Sequence, residues 1–172
     1  MFGLPDYLEK KLKIIFIGFN PSIKSGESGH HFANPNNRFW KILELSGILP
    51  RRFGPDEDYK LLDHGYGLTN IVARPTQAAA DLTKQEYEEG KAILLKKLTH
   101  YQPIIACYVG KGVYEKMTPK KAIPWGKQDV SLLPCTIDFV APSSSGLVRM
   151  PIDDIVSIYK ELKLLLNEQT LT

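Results

Sequence analysis

Short apolar runs alternate with amphipathic stretches along this chain of 172 residues. Four β-branched and aromatic runs, at 13–18, 66–72, 103–109 and 136–140, predict buried strands. Apolar residues at helical spacing predict helices at 36–45, 83–98 and 151–166, with a shorter helix after Gly110. No repeat, low-complexity tract or linker interrupts this alternation, so residues 1–172 are expected to form one domain.

Strands that alternate with helices predict a mainly parallel α/β sheet with helices on both faces. In sheets of that kind, ligands bind in the crevice beyond the carboxyl ends of the strands. Two polar stretches follow predicted strands, one after Gly18 and one after Val140, and both should reach that crevice. The stretch at 20–33 is rich in Gly, Ser, Pro and His, and it is predicted to be a long loop.

Composition and charge narrow the possible chemistry only slightly. Hydrophobic residues make up 43% of the chain and charged residues 24%, as in an ordinary globular domain. The net charge of +3 permits a polyanionic partner without requiring one. Cys107 and Cys135 form no CxxC pair and cannot supply four metal ligands, so buried free thiols are expected. We expect no metal or cofactor, no membrane span and a cytoplasmic location.

The segment after the first predicted strand reads G-F-N-P-S, from Gly18 to Ser22. A glycine at a strand end lets the backbone approach a ligand closely. Pro21 restricts Asn20 to extended conformations, so the Asn20 amide should be fixed rather than mobile. Such an amide does not titrate near neutrality, but it can orient a water molecule or bind a polar edge of a ligand. The alternative is a turn asparagine that bonds its own backbone.

A second polar segment, H-H-F-A-N-P-N-N-R-F-W from His30 to Trp40, places a large aromatic residue in a loop. Phe32 could stack on a planar base or fill a small satellite core. The adjacent His30 and His31 are poor metal candidates, because neighbouring residues rarely turn both rings towards one ion. Arg38 could contact phosphate or be a solvated helix residue, and Trp40 is expected in the core.

The loop after the last predicted strand reads P-S-S-S-G-L-V-R, from Pro142 to Arg149. Serine hydroxyls and loop amides suit phosphate oxygens. Leu147 is apolar in a loop that is otherwise rich in Ser and Gly, and an exposed leucine there could wedge between base pairs. The alternative is a serine-rich turn whose leucine folds into the core. The run contains no G-x-S-x-G nucleophile motif, and the chain contains no phosphate-loop motif.

The order of these three motifs along the chain is more specific than any one of them. In this order the chain resembles the mismatch-specific uracil/thymine-DNA glycosylase family of the uracil-DNA glycosylase superfamily. The motifs that carry the resemblance are G-F-N-P-S, then H-F-A-N-P-N-N-R-F-W, then S-S-S-G-L-V-R. The stretches at 67–76, 101–103 and 125–128 match as well, so the similarity extends from about Lys13 to Leu166. The resemblance implies an α/β fold, a three-layer sandwich around a short four-stranded parallel sheet.

The resemblance also implies a role for each motif. Asn20 would position the attacking water at the sugar carbon, and Phe32 would stack on the extruded base. Backbone amides near Phe19 and Phe32 would bind the uracil carbonyls, with Ser22 beside the pocket. Leu147 would enter the gap that the flipped nucleotide leaves. The DNA would be held by the rest of that loop, at Ser143, Ser144, Ser145, Gly146 and Arg149.

The implied substrate is double-stranded DNA that contains a damaged or mismatched base. The implied reaction is hydrolysis of the N-glycosidic bond of uracil, and of thymine, hypoxanthine or ethenocytosine as further candidates, by a monomeric and monofunctional enzyme. The family usually has glycine at position 22, so the hydroxymethyl group of Ser22 bears on whether thymine is accepted. The final loop combines the serine-rich form of one family branch with the Gly-Leu form of another.

The residue types in the first motif suggest how the bond would break. Because that motif has no carboxylate or imidazole, we hypothesise that bond breaking runs ahead of water attack, with a flat pH profile near neutrality. A mismatched base is already weakly held, which lowers the cost of extruding it. Two alternatives stay open: a non-catalytic DNA-binding relative of the same fold, and a nucleotide or phosphoester enzyme. The second would normally need a metal site or a phosphate loop.

Overall fold

The centre of the fold is a single sheet. In the computed structural model, which describes residues 3–171, the sheet consists of β1 (Ile14–Gly18), β2 (Tyr66–Asn70), β3 (Ile105–Val109), β4 (Gly126–Lys127) and β5 (Ile137–Ala141). The strand order is β2-β1-β3-β5-β4. The first four strands in this order run parallel, whereas β4 is antiparallel to β5. The mainly parallel α/β sheet is as predicted, but the predicted count of four strands is wrong. The two residues of β4 are too few to form a recognisable strand pattern in the sequence.

Five α-helices accompany the sheet in this part of the chain: α1 (Ile23–Ser28), α2 (Phe39–Leu45), α3 (Lys84–Tyr101), α4 (Lys111–Glu115) and α5 (Ile152–Thr170). Two 3-10 segments, Pro55–His64 and Ala79–Asp81, precede β2 and α3. Thr83 is the N-cap of α3, because its hydroxyl accepts from the Glu86 N–H and the Glu86 carboxylate accepts from the Thr83 N–H. No helix within residues 3–171 is both long and apolar enough to cross a membrane.

The helix α1 lies inside the stretch that the sequence predicts to be a long loop, and that prediction is therefore wrong for this part. Ser22 caps the helix by accepting from the Ser25 N–H at 3.1 Å. Gly29 ends it with a left-handed φ of 75°. The helix has only six residues, several of them Ser or Gly, so it leaves almost no apolar periodicity in the sequence.

The two faces of the sheet carry separate apolar cores. Along β1, Ile14 and Phe16 belong to one core, and Ile15 and Ile17 belong to the other. Residues of α2 and α5 contribute to the first core, and residues of α3 and α4 to the second. Trp40 is buried in the first core, as expected. The chain therefore has the three predicted layers, with the sheet in the middle.

The two cysteines differ in exposure. Cys107 on β3 is buried, as expected, and burial raises the pKa of its thiol. Cys135 is exposed, so the prediction of a buried thiol is wrong there. The reason is that Cys135 lies in the turn before β5, whereas the strand itself begins at Ile137.

Gly90 allows α3 to lie close to the chain that follows β2. A Cβ atom at this position would be 2.3 Å from the carbonyl oxygen of Ile71, which is too close for a stable contact. Replacing glycine by alanine inside a helix normally stabilises it by about 1 kcal/mol. We expect Gly90→Ala instead to lower the free energy of unfolding by about 1–3 kcal/mol, because the methyl group would overpack this contact.

Urea unfolding measures this effect. The control is Glu88→Ala at an exposed position of the same helix, which should change the free energy of unfolding by less than about 0.5 kcal/mol. A Gly90→Ala protein that is more stable than the wild type would contradict the close packing of α3.

Candidate functional site: a cavity at the carboxyl ends of the strands

The carboxyl ends of the four parallel strands meet around a cavity of about 350 Å³. Gly18 ends β1, Asn70 ends β2 and Val109 ends β3, and all three residues line the cavity. Ser143, Ser144 and Ser145, from the loop after β5, form part of its wall. This is the position at which a parallel sheet of this kind is expected to bind a ligand.

Most of the residues predicted from the sequence line this cavity. They are Phe19, Asn20, Ser22, Phe32, Ser143, Ser144, Ser145 and Leu147. The exposed Gly146 and Arg149 belong to the same loop but are not among the lining residues. The fold therefore brings all three motifs, which are far apart in the sequence, to one site.

Asn20 lines the cavity with an amide group whose orientation is determined by its partners. Its Nδ2 donates to the Arg74 carbonyl oxygen at 2.8 Å and to Thr76 Oγ1 at 2.7 Å. A carbonyl oxygen can only accept, so the atom that faces Arg74 must be the amide nitrogen. Both N–H groups are used, which leaves Oδ1 as an acceptor. Since the partners lie on a distant segment, Asn20 is not a turn residue that bonds its own backbone.

Thr76 is a positioning residue for Asn20. The Thr76 hydroxyl donates to the Ala78 carbonyl oxygen at 2.7 Å, so only its lone pairs face the Asn20 amide nitrogen. The Thr76 N–H also donates to the Pro21 carbonyl oxygen at 3.1 Å. Thr76 lies in the matching stretch at 67–76, yet the sequence gives it no role, because its partners are visible only in the fold.

Phe32 lies between the first core and the cavity. Its ring stacks on the ring of Phe39 with centroids 3.9 Å apart and an interplanar angle of 13°. Phe32 also lines the cavity, so the two interpretations of this residue, base stacking and core filling, are compatible. The φ angle of Phe32 is 50°, which is rare for a bulky residue. Strained conformations of this kind are concentrated at functional sites.

A buried carboxylate holds the chain just before Phe32. Asp58, in the 3-10 segment Pro55–His64, is fully buried and accepts from the His31 N–H at 2.8 Å. The other oxygen of the carboxylate is 3.2 Å from Nδ1 of His30. Removal of a buried carboxylate that accepts a backbone N–H leaves that donor unsatisfied. Asp58 therefore stabilises the backbone that presents the Phe32 ring.

His31 is a buried, neutral part of the cavity wall. Its Nε2 is 2.8 Å from the Pro5 carbonyl oxygen, which can only accept, so Nε2 carries a proton. Burial lowers the pKa of the His31 imidazole below its ordinary value. Protonation therefore favours the unfolded state, and stability is lost as the pH falls through the ordinary histidine range. No group of three or more His, Cys, Asp and Glu side chains between residues 3 and 171 is placed to hold a metal ion.

Ser22 and Ser25 connect the first motif to the second. The Ser22 hydroxyl donates to Ser25 Oγ at 3.2 Å, in addition to capping α1. Ser25 Oγ in turn accepts from the Ala33 N–H at 3.0 Å. Because the Ser22 hydroxyl is directed at Ser25, it is engaged within the protein even though Ser22 lines the cavity.

Asn70 is a candidate binding residue that the sequence analysis overlooks. It lines the cavity, and a Cβ atom on Gly18 would lie 2.6 Å from Asn70 Oδ1, so a larger residue at position 18 would displace the Asn70 side chain. None of the hydrogen bonds found among residues 3–171 uses the Asn70 carboxamide. The sequence predicts that this strand extends to residue 72, so Asn70 is not recognised as the residue that ends β2 at the cavity.

Leu147 is 93% exposed, which excludes the alternative that it folds into the core. Ser144, by contrast, is buried, while Ser143 and Ser145 are half-buried. The loop after β5 therefore presents an unsupported apolar side chain next to polar groups at the cavity. Exposed apolar residues of this kind often mark interaction sites.

Comparison with known proteins assigns the chain to a family. The model of the uracil DNA glycosylase superfamily matches residues 5–163. The chain belongs to the uracil DNA glycosylase superfamily. A solution NMR structure of a candidate uracil DNA glycosylase from Methanosarcina acetivorans has a TM-score of 0.59 and 18% identity, covering 95% of this chain and 99% of that chain. At that identity the likeness shows a shared fold.

Membership of the uracil DNA glycosylase superfamily supports DNA glycosylase activity in general, with DNA as the substrate. The cavity agrees with a reaction that depends on orientation more than on proton transfer. Among the described residues that line it there is no carboxylate, and His31 is the one imidazole. Asn20 and Asn70 provide carboxamides, and Phe32 provides a planar ring. Such groups can orient a planar ligand and a water molecule.

Proposed function

We propose that the protein is a monofunctional glycosylase of the mismatch-specific uracil/thymine-DNA glycosylase family, which hydrolyses the N-glycosidic bond of uracil in mismatched double-stranded DNA. The observation that carries this proposal is the Asn20 carboxamide, which is fixed by Arg74 and Thr76 with Oδ1 left as an acceptor at the cavity. A fixed acceptor without a proton-transfer group suits the positioning of a water molecule. The ordered motifs support the mismatch-specific family, and the superfamily match supports a DNA glycosylase in general.

The substrate base reaches the cavity only after it has left the double helix, because the duplex hides the glycosidic bond. The extruded uracil stacks on Phe32, whose ring is supported from behind by Phe39. Backbone N–H groups near Phe19 and Phe32 donate to the uracil carbonyls, and the Asn70 carboxamide is free to bind the remaining polar edge. A mismatched base costs less to extrude, which contributes to selectivity.

In the chemical step, the bond between the sugar carbon and the uracil nitrogen breaks, and its electron pair leaves with the base. Hydrogen bonds to the departing uracil anion stabilise the developing negative charge. Asn20 Oδ1 accepts a hydrogen bond from a water molecule and holds its oxygen against the cationic sugar carbon. The new carbon–oxygen bond forms, and the water proton is released to solvent.

The loop after β5 binds the duplex in this proposal. Leu147 enters the gap left by the flipped nucleotide, and Gly146 and Arg149 contact the neighbouring backbone. Ser143 and Ser145 offer half-buried hydroxyls to phosphate oxygens, whereas the buried Ser144 contributes through its backbone. The enzyme acts as a monomer on one damaged site.

Base release from a labelled duplex with one G·U pair, with EDTA present, tests the proposal. We expect alkali-labile cleavage at the uracil, and a loss of roughly 100-fold or more in the single-turnover rate of Asn20→Ala. The matched control is Asn167→Ala, the same chemical change at an exposed position of α5, which should leave the rate unchanged. A wild-type protein that binds the duplex at stoichiometric concentration without releasing the base would favour a non-catalytic DNA-binding relative.

Ser22 gives a test of base selection. Uracil and thymine differ by one methyl group, and a single methyl group in a pocket typically changes rates by roughly 10- to 200-fold. We expect the wild type to prefer uracil, and Ser22→Gly to raise the rate for G·T relative to G·U by up to about tenfold, because removal of the side chain widens the cavity. Glycine is tolerated at an N-cap, so α1 should persist.

The control for base selection is Ser22→Ala, which removes the hydroxyl but keeps the Cβ atom. It should leave the ratio of the two rates close to that of the wild type. If the alanine variant gains thymine activity as strongly as the glycine variant, selection depends on the hydroxyl hydrogen bonds and not on the width of the cavity.

A further inference from the structure

Arg38, at the start of α2, is bound to the loop that carries Leu147. Its backbone N–H donates to the Ser144 carbonyl oxygen at 2.9 Å. Its Nη2 donates to the carbonyl oxygens of Ser145 and Val148, each at 3.3 Å. The side chain is half-buried and bound to the protein, so Arg38 is not a solvated helix residue, whereas its contact with phosphate stays a prediction. The guanidinium is engaged with the backbone of residues 143–149, which we term the Leu147 loop.

The Leu147 loop also lies directly against the backbone before α2. A Cβ atom at Gly146 would be 2.5 Å from the Asn36 carbonyl oxygen, so only glycine allows this approach. Within the loop, the Leu147 N–H donates to Ser145 Oγ at 3.2 Å, and the Val148 N–H donates to the Ser145 carbonyl oxygen at 3.2 Å. The loop is therefore held both by its own hydrogen bonds and by the segment at 36–38.

The position of Arg38 has a cost that a solvated arginine would avoid. Its Nε is buried and has no hydrogen-bond partner in the part of the chain that the structure describes. A buried donor without a partner destabilises the folded protein. Hydrogen bonds from the same side chain to two loop carbonyls offset part of this cost, and their combined result is to fix the backbone on both sides of Leu147.

We propose that Arg38 is a positioning residue for duplex DNA: it holds the Leu147 loop against α2, so that Leu147 is already ordered when it enters the base stack. This inference rests on the proposed function. Leu147 is 93% exposed, so packing within the protein does not order its side chain. A mobile loop would lose conformational entropy on binding DNA, which would weaken binding. Ordering the loop beforehand removes that cost from the step in which the base is extruded.

The same helix start supports the base-binding side of the cavity. Phe39, the residue after Arg38, stacks on Phe32 with ring centroids 3.9 Å apart. Two consecutive residues thus support two different parts of the site. Arg38 holds the Leu147 loop, and Phe39 supports the ring on which the extruded base stacks. The distance between the inserted leucine and the base platform is therefore set by one short segment of backbone.

If Arg38 has this role, its substitution should lower the rate of base release most for the substrates whose base pair is hardest to open. The variant Arg38→Met keeps the aliphatic length and removes the hydrogen-bond donors of the side chain. We expect the single-turnover rate to fall by roughly tenfold or more on a duplex with uracil opposite adenine, which is the strongest pair. The rate should fall by a smaller factor with uracil opposite guanine, and by less than about twofold with uracil opposite an abasic site. A residue needed only for folding would lower all three rates equally.

Further variants separate this role from others. Gly146→Ala disturbs the packing of the Leu147 loop against Asn36, on the same segment, and should give the same graded loss. Leu147→Ala removes the inserted side chain, and adding Arg38→Met to it should cause little further loss, because both changes affect one step. Arg52→Met is the matched control: its guanidinium pairs with Glu44 near the other end of α2, and its rates should equal those of the wild type.

Hydrogen–deuterium exchange in the protein without DNA tests the same inference independently of activity. Amides of the Leu147 loop should exchange at least about tenfold faster in Arg38→Met than in the wild type or in Arg52→Met. Unchanged exchange, or an equal loss of rate on all three duplexes, would overturn the role of Arg38. If the wild type releases no uracil from any duplex, the proposed function fails, and the exchange result alone decides whether Arg38 orders the loop.

Discussion

The two hydrogen bonds from the Asn20 amide nitrogen join the end of β1 to the segment that follows β2, and the site is arranged around this connection. They are possible because β1 and β2 are parallel neighbours in register, with Gly18 opposite Asn70. Both strands therefore end at the same level, and the segment that follows β1 contacts the segment that follows β2. The partners of Asn20 determine which of its two amide atoms is left to act on a ligand, so the register of the sheet controls the chemistry available at the cavity.

Other hydrogen bonds between separate segments connect the remaining motifs in a similar way. Ser25 joins the first motif to the backbone at Ala33, and Asp58 fixes the backbone at His31. Arg38 joins the second motif to the loop after β5. In each case a side chain from one segment satisfies a backbone group of another. The positions of the stacking ring and the exposed leucine are thus consequences of the hydrogen-bond network as well as of the sheet.

The parts of the fold that the sequence predicts are those that depend on local patterns. The parallel strands are buried on both faces and leave apolar runs, and α3 is long enough to show apolar residues at helical spacing. The helix α1 and the strand β4 are too short to leave a pattern. Asn20 and Phe32 stand out because their neighbours, a proline and a polar loop, are unusual.

Thr76 and Arg38 illustrate what the sequence does not contain. Neither residue type is unusual at its position, and their significance comes from partners that are distant in the chain. Asn70 could have been found from the rule that ligands bind at strand ends, had the end of β2 been predicted two residues earlier. Long-range contacts of this kind require the register of the sheet, which no local pattern specifies.

The central claim is that the chemical step depends on a fixed carboxamide and not on a titrating side chain. The pH dependence of the single-turnover rate of uracil release tests it most directly. Burial lowers the pKa of His31, the one imidazole among the described residues that line the cavity, so this group is neutral near neutrality. We expect a rate that changes by less than about twofold between about pH 7 and about pH 9. A rate that changes about tenfold per pH unit in this range would reveal an essential ionisation and would contradict a mechanism based on a fixed carboxamide.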